Sequence, residues 1–414
     1  MNVKRICVII LLFVCATQPC KGYSVLTHEA IIDANWDKIL LPLLKQKFPG
    51  SSAESIKEAH AYAYGGAVIP DLGYYPFGSK LFTNLIHYVR SGDFIETLFN
   101  DAQNINEFAF AAGVLCHYYG DIYGHLLGIN ESVPLIYPKM KRKYGDTVTF
   151  AENRISHVRT EFSFDVLQTA RGNYASTAYH DFIGFQVAQS LLQRAFMETY
   201  GLDVNELFGN FPRAVARFRW AVINLLPFVT KAAWATKKGE IKKLQPTATS
   251  RSFIYRMQRK NYSHQFGEKE QPKFFAHVVS LLIQVIPKVG PLRVLNFESP
   301  TPEAEKLFVS SFDVASTIYG RDVTELRKEN LDLTNMDFDT GIKTSEGEYV
   351  LADETYCKLV ISLKDKNFTT ITPSLKQNIL SFYADRAQVM ETGQQRKVTD
   401  AIAELEMVQP VREK

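Results

Sequence analysis

The chain has 414 residues, of which 46% are hydrophobic and 22% charged, with 47 basic against 44 acidic side chains and a formal net charge of +3. That balance excludes a disordered or low-complexity chain and implies a sizeable core. It is too even to make long nucleic acid or an anionic membrane a charge-driven partner, and beyond residue 22 no run is apolar and long enough to span a bilayer.

In chain order, Lys4 and Arg5 precede an eleven-residue apolar run, Ile6 to Ala16. This is too short for a membrane span and suits the core of a signal peptide, residues 1–22. Cys20 and Gly22 fit cleavage before Tyr23; cleavage after Ala16 is the alternative. The expectation is export to a periplasmic or secreted location. From Thr27 to about Gln46 the apolar spacing is helical, with Thr27 as a candidate N-cap, and Pro49-Gly50-Ser51-Ser52 ends that helix and offers Ser51 or Ser52 as the next cap. A loop, Gly65 to Asp71, leads into an aromatic-rich turn. Helices are expected over 103–127, where Ala109, Ala111, Ala112, Gly113, Gly120 and Gly124 permit close packing, over 153–170 and 180–200, and over 211–237 with a break at Pro227.

The basic, polar stretch from Lys237 to Ser252 is the best boundary candidate. It divides a domain at 23–240 from a helical C-terminal region at 241–414, with apolar helical runs at 273–286, 303–318 and about 375–389. Residues 347–363 read as either a strand pair or a helix. The fold class is mainly α. Cys116 and Cys357 remain after processing as one possible pair. No Cys-x-x-Cys spacing exists, so a metal would have to be held by His and carboxylate.

Seven of the nine histidines fall between residues 28 and 180. His117, Asp121 and His125 stand at i, i+4 and i+8; on a helix the first two stack on one face and the third is rotated by only ~80°. His157 and Glu161 repeat the i, i+4 arrangement 32 residues after His125. One such pair is commonly a solvated polar pair or a satisfied core histidine. Two such helices side by side supply His nitrogen and carboxylate oxygen for two zinc ions, with Asp121 placed to bridge. His60, His180, His264 and His277 are read as packing residues.

The order of these motifs resembles the zinc-dependent phospholipase C family. The resemblance runs through Tyr23, Thr27-His28, Ile69-Pro70-Asp71, Leu85-Ile86-His87-Tyr88, His117/Asp121/His125 and His157/Glu161. It is strong over 23–170 and extends to about 240 by helical pattern. The Asp121–His125 spacing is closest to that of the catalytic part of glycosylphosphatidylinositol-specific phospholipase D. The resemblance implies a multi-helix hydrolase with up to three zinc ions: one on Asp71, His87, His117 and Asp121, one on His125, His157 and Glu161, and one on His28, Asp121 and the backbone of a mature chain starting at Tyr23. It implies a zinc-activated water and a role for Asp71 in orienting or deprotonating it. The implied substrate is a phosphodiester, foremost a phospholipid headgroup, with peripheral membrane contact.

The aromatics from Tyr62 to Tyr64 and Tyr74 to Phe77 admit three readings: a cage for choline, a stack for a nucleobase, or core and rim. Two further functions stay open beside the phospholipase. One is a related single-strand nuclease or nucleotidase, which near-neutral charge disfavours for long nucleic acid. The other is a metal-binding protein without turnover.

Overall fold

The computed structural model describes residues 25–75, 78–174, 184–222, 237–248, 296–326, 331–384 and 393–411. The signal segment, Tyr23, Phe77, His180, His264, His277, Pro227 and the expected helix at 273–286 lie outside them, as do residues 223–236 and 249–295 on either side of the candidate boundary.

The described residues are all-α, with a single isolated bridge, Met336 to Lys343, in place of any sheet. Helix α1 (Val25–Asn35) begins before Thr27, so Thr27 is not its N-cap. The Thr27 hydroxyl instead donates to Asp165 Oδ1 at 2.8 Å. A π-helical turn joins α1 to α2 (Leu41–Lys47), and the chain reverses at Gly50, whose φ of +90° suits a residue without a side chain. Ser52 caps α3 (Ala53–Val68) by accepting from the Ser55 N–H.

A 3₁₀ turn, Ile69–Tyr74, leads to α4 (Lys80–Tyr88), followed by α5 (Ser91–Asp101) and α6 (Ile105–Gly124), which Asn104 caps. α6 runs through a π-helical turn, His125–Ile129, into α7 (Asn130–Ile136) and α8 (Pro138–Tyr144). α9 (Arg154–Arg171) is capped by Asn153 and stopped by Gly172 at φ +80°. Then come α10 (Gln189–Tyr200), α11 (Val204–Phe208) and α12 (Phe211–Trp220). In the C-terminal part are α13 (Pro302–Glu325), α14 (Val350–Lys364), α15 (Pro373–Phe382) and α16 (Gly393–Met407). Residues 350–364 are therefore helix, not a strand pair. Leu351, Ala352, Thr355, Tyr356, Leu359, Val360 and Leu363 form its buried face at helical spacing.

The centre of the molecule is the crossing of α3 and α6. A Cβ on Gly66 would lie 2.0 Å from the Phe110 carbonyl oxygen, and one on Gly113 would lie 2.0 Å from that of Ala63. The two backbones touch because neither position has a side chain. α13 lies along α6, where the Tyr319 hydroxyl donates to the Ala112 carbonyl at 3.1 Å, and Phe308 stacks on Phe164 of α9 at 4.3 Å. α14 packs on α4. Cys116 is buried against the His28 carbonyl and is not bonded to Cys357. Among the described residues no helix is long and apolar enough to cross a membrane.

Gly113→Val should lower the melting temperature sharply, because overpacking costs about 1–3 kcal/mol even where some relaxation is possible and here the obstacle is backbone. Gly239→Ala, at a position with open space around its Cβ, should melt like the parent protein. Matching melts for both variants would mean that α3 and α6 do not meet at this point.

Candidate metal centre

Asp71 enters the site from the 3₁₀ turn, which Thr83 of α4 holds in place. The Thr83 hydroxyl donates to the Pro70 carbonyl at 2.7 Å and accepts from the Gly73 N–H at 2.7 Å. One turn along α4, His87 places Nδ1 2.9 Å from the Thr83 carbonyl. His117 of α6 places Nδ1 2.8 Å from the Ala67 carbonyl, a contact delivered by the α3–α6 crossing. A carbonyl only accepts, so both Nδ1 atoms carry hydrogen, and it is Nε2 of each ring that faces the cluster and would offer its lone pair to a cation.

Those Nε2 atoms are 3.5 Å apart and lie 3.4 Å (His87) and 3.1 Å (His117) from Asp121 Oδ2. Asp71 Oδ1 is 3.6 Å from His87 Nε2. Asp121 Oδ1 faces the other way, 3.2 Å from His28 Nε2. The His28 ring stacks on His117 at 4.2 Å and fits because Gly120 is bare there: a Cβ would lie 2.8 Å from His28 Nδ1.

The second group forms where α6 widens into its π-helical turn. His125 Nδ1 donates to the Phe338 carbonyl at 2.8 Å, and Nε2, which has no hydrogen-bond partner among the described residues, lies 3.7 Å from Glu161 Oε1. On α9, His157 Nδ1 is 2.6 Å from Glu161 Oε1, and Nε2 is 2.8 Å from Asn130 Oδ1.

Three sets of donor atoms each fall within 4.8 Å of one another: His28/His117/Asp121, Asp71/His87/His117 and His125/His157/Glu161. All eight side chains are at most 3% exposed. Buried carboxylates facing imidazole lone pairs at these distances repel unless a proton or a cation lies between them. Imidazole nitrogen with carboxylate oxygen is a donor set suited to zinc, and three histidines already have their outer nitrogen on a backbone carbonyl, as ligating histidines commonly do. The residues present therefore fit zinc.

The electrostatics agree. Burial works against an ionised Asp121, but His117, His125 and His28 outweigh it and hold the carboxyl well below its usual range. Burial also works against charge on His87 and His125. Asp121 and Asp71 nevertheless raise His87 to about 9, and Asp121, Glu161 and Asp339 raise His125 to about 10. His28 is pushed down by burial and by the neighbouring His117.

The structure thus gathers His28, Asp71, His87, His117, Asp121, His125, His157 and Glu161, while Tyr23 falls outside the described residues. His60 stands apart, stacked on Trp36 at 3.6 Å with Asp33 3.3 Å away. Of the expected aromatics, Tyr64 bonds Asp33, Tyr75 packs on Phe218, and Tyr74 meets His87 at 6.0 Å. Tyr64 and Tyr75 are thus engaged in packing, and Tyr74 is in ring contact with a clustered residue. Sequence reasoning quoted Tyr88 only as the neighbour of His87, and missed Asn130, Phe338, Asp339 and Tyr349. The sole signal for them was an Asp-x-Asp, 337–339, in a coil, a pattern that is ordinarily solvated.

Residues 27–210 match the family model described as zinc dependent phospholipase C, a segment that contains all eight clustered side chains. No curated protein and no solved structure matches the chain.

Zinc requires lone pairs that His87 and His125 keep protonated up to about 9 and about 10. Binding at neutral pH should therefore expel protons, and apparent affinity should rise as pH climbs toward that range and fall as pH drops. Calorimetric titration of metal-free protein in two buffers of different ionisation enthalpy should show a net release of about one proton or more. A buffer-independent enthalpy would mean that these rings are already neutral.

Proposed function

We propose, because residues 27–210 match the model of the zinc-dependent phospholipase C family, that the protein is a zinc-dependent phosphodiester hydrolase that cleaves a phospholipid or related phosphodiester in the phospholipase C manner. The observation that supports this reading most directly is Asp121, whose two oxygens face different donor groups 3.2 Å and 3.1 Å away, as a carboxylate bridging two cations would.

Asp71, His87, His117 and Asp121 would hold one ion, and His125, His157 and Glu161 a second. His28 and Asp121 would hold a third together with the amine and carbonyl of a chain starting at Tyr23. Zinc held in these places would supply positive charge against the phosphodiester and its transition state and would lower the pKa of a bound water. Asp71 accepts the proton of that water. The water oxygen forms the new bond to phosphorus, the ester P–O bond breaks, and the departing alkoxide takes a proton from solvent water, to which Asp71 returns the one it accepted, so the products are an alcohol and a phosphomonoester. The burial of all eight side chains keeps the local dielectric low, which strengthens each of these charge interactions. Residues 1–22 direct the chain to export, and the lipid headgroup is met at a membrane surface by peripheral contact.

The zinc-loaded protein should hydrolyse phosphatidylcholine vesicles and a generic aryl phosphodiester and leave single-stranded DNA intact. DNA cleavage without lipid cleavage would move the assignment to a nuclease, and no turnover of any of the three would move it to a metal-binding protein. Asp121→Asn should reduce the rate roughly a hundredfold or more, whereas His60→Ala, outside the cluster, should change it only a few-fold. Equal losses in two folded variants would place the reacting centre elsewhere.

The N-terminal chelate is tested separately. An α-amine of pKa ~7.7–8.0 gives up its proton readily to a competing cation. One extra residue before Tyr23 should therefore remove one zinc per chain, measured by elemental analysis, and most of the activity, leaving two ions and the fold. Undiminished zinc and activity in the extended protein would reduce the site to its two side-chain groups.

A further inference from the structure

Between α13 and α14 a strap, residues 335–342, crosses the metal centre from a part of the chain beyond the matched segment. Its entry is fixed at the start of α5. Asn335 Oδ1 accepts from the N–H groups of Gly92 (2.9 Å) and Asp93 (3.1 Å), and Ser91 exchanges hydrogen bonds with Met336 at 2.7 and 2.9 Å. Its tip is shaped by Asp337, whose carboxylate accepts from the Asp339 N–H at 2.7 Å and the Thr340 hydroxyl at 3.0 Å.

Phe338 then spans both donor groups. Its N–H donates to the His87 carbonyl at 3.2 Å, its ring lies 4.9 Å from that of His87, and its carbonyl accepts from His125 Nδ1. The next carbonyl, of Asp339, accepts from Asn130 Nδ2 at 2.8 Å. That contact orients the Asn130 amide: its nitrogen faces the strap, so its oxygen faces His157 Nε2, which must carry the hydrogen. His157 is left with its Nδ1 lone pair toward Glu161. The Asp339 carboxylate is fully buried, accepts from the hydroxyls of Tyr88 (2.8 Å) and Tyr349 (2.6 Å), and keeps Oδ1 3.7 Å behind His125 Nδ1.

We propose that the strap is a built part of the second cation site. The successive carbonyls of Phe338 and Asp339, the latter acting through Asn130, set which nitrogen of His125 and of His157 faces Glu161, and Asp339 is the positioning carboxylate behind His125. The occupant is a divalent cation that favours imidazole and carboxylate, zinc or cobalt. The proposal rests on the metal-site part of the function above but not on the substrate or on turnover.

The test uses the full chain, stripped of metal and titrated with Co²⁺ while its visible absorption is followed. The variants are Asn130→Leu, which removes both links of the Asp339–Asn130–His157 relay, and Tyr349→Phe, which keeps the carboxylate and its hydrogen bond from Tyr88. Asn130→Leu should weaken one cobalt ion by about 10–100-fold and change its absorption band, with the remaining ions bound as in the parent. Tyr349→Phe should do the same to a smaller degree and serves if Asn130→Leu does not fold. Folded variants with parental cobalt affinity and spectrum at every ion would overturn the proposal. A parent protein that binds cobalt yet hydrolyses no phosphodiester would sink the functional reading and leave the strap standing, whereas one that binds no cobalt would sink both.

Discussion

Asp121 has no exposure to solvent, and its neighbours are arranged around the need to keep it charged there. Removing an isolated carboxylate from water costs several kcal/mol, and such a group ordinarily neutralises itself instead. Here histidines from α1, α4, α6 and the turn after α6 reverse that tendency. Each must approach with a nitrogen rather than a carbon edge, which constrains helix rotation as well as position. The same crowding of carboxylate and imidazole is what a cation relieves, so the feature that strains the metal-free site is the one that would bind metal.

Packing meets this demand through backbone contact. α3 and α6 can touch only where Gly66 and Gly113 lie face to face, and that contact carries the Ala67 carbonyl to His117 Nδ1. At the other end of α6, the π-helical turn begins at His125, and this ring hydrogen-bonds the Phe338 carbonyl while the rings before it on α6 and on α4 bond carbonyls of α3 and α4. The helix thus serves two donor groups from one face, with Asp121 between them. α13 and α14 close over this arrangement, and the coil joining them supplies polar groups that the helices around the site do not.

The i, i+4 pairs were legible because they are intrahelical: 3.6 residues per turn brings His117 to Asp121 and His157 to Glu161 whatever surrounds them. The Ser52 cap is equally local. The donor types were also visible, since a chain without a Cys-x-x-Cys spacing must use imidazole and carboxylate. Thr27 shows the limit of local reasoning. As a candidate cap it fits the pattern, but Asp165, 138 residues away, takes its hydroxyl and the helix begins earlier. Residues 350–364 show the same limit in reverse, because a short apolar run suits strand or helix until its neighbours choose.

Sequence by itself determined the helical class and, through spacing on a helix, five candidate donors, His117, Asp121, His125, His157 and Glu161, because that spacing and ligand chemistry are both written in side-chain identity; His28, Asp71 and His87 entered only through the family resemblance. Tertiary structure alone decided which nitrogen each histidine turns inward, and that the coil at 335–342 does much of the turning. Every residue of a coil offers the same carbonyl, so no letter in the sequence marks Phe338 and Asp339 as the two that accept; only the packing of α4, α5 and α6 beneath them selects those oxygens.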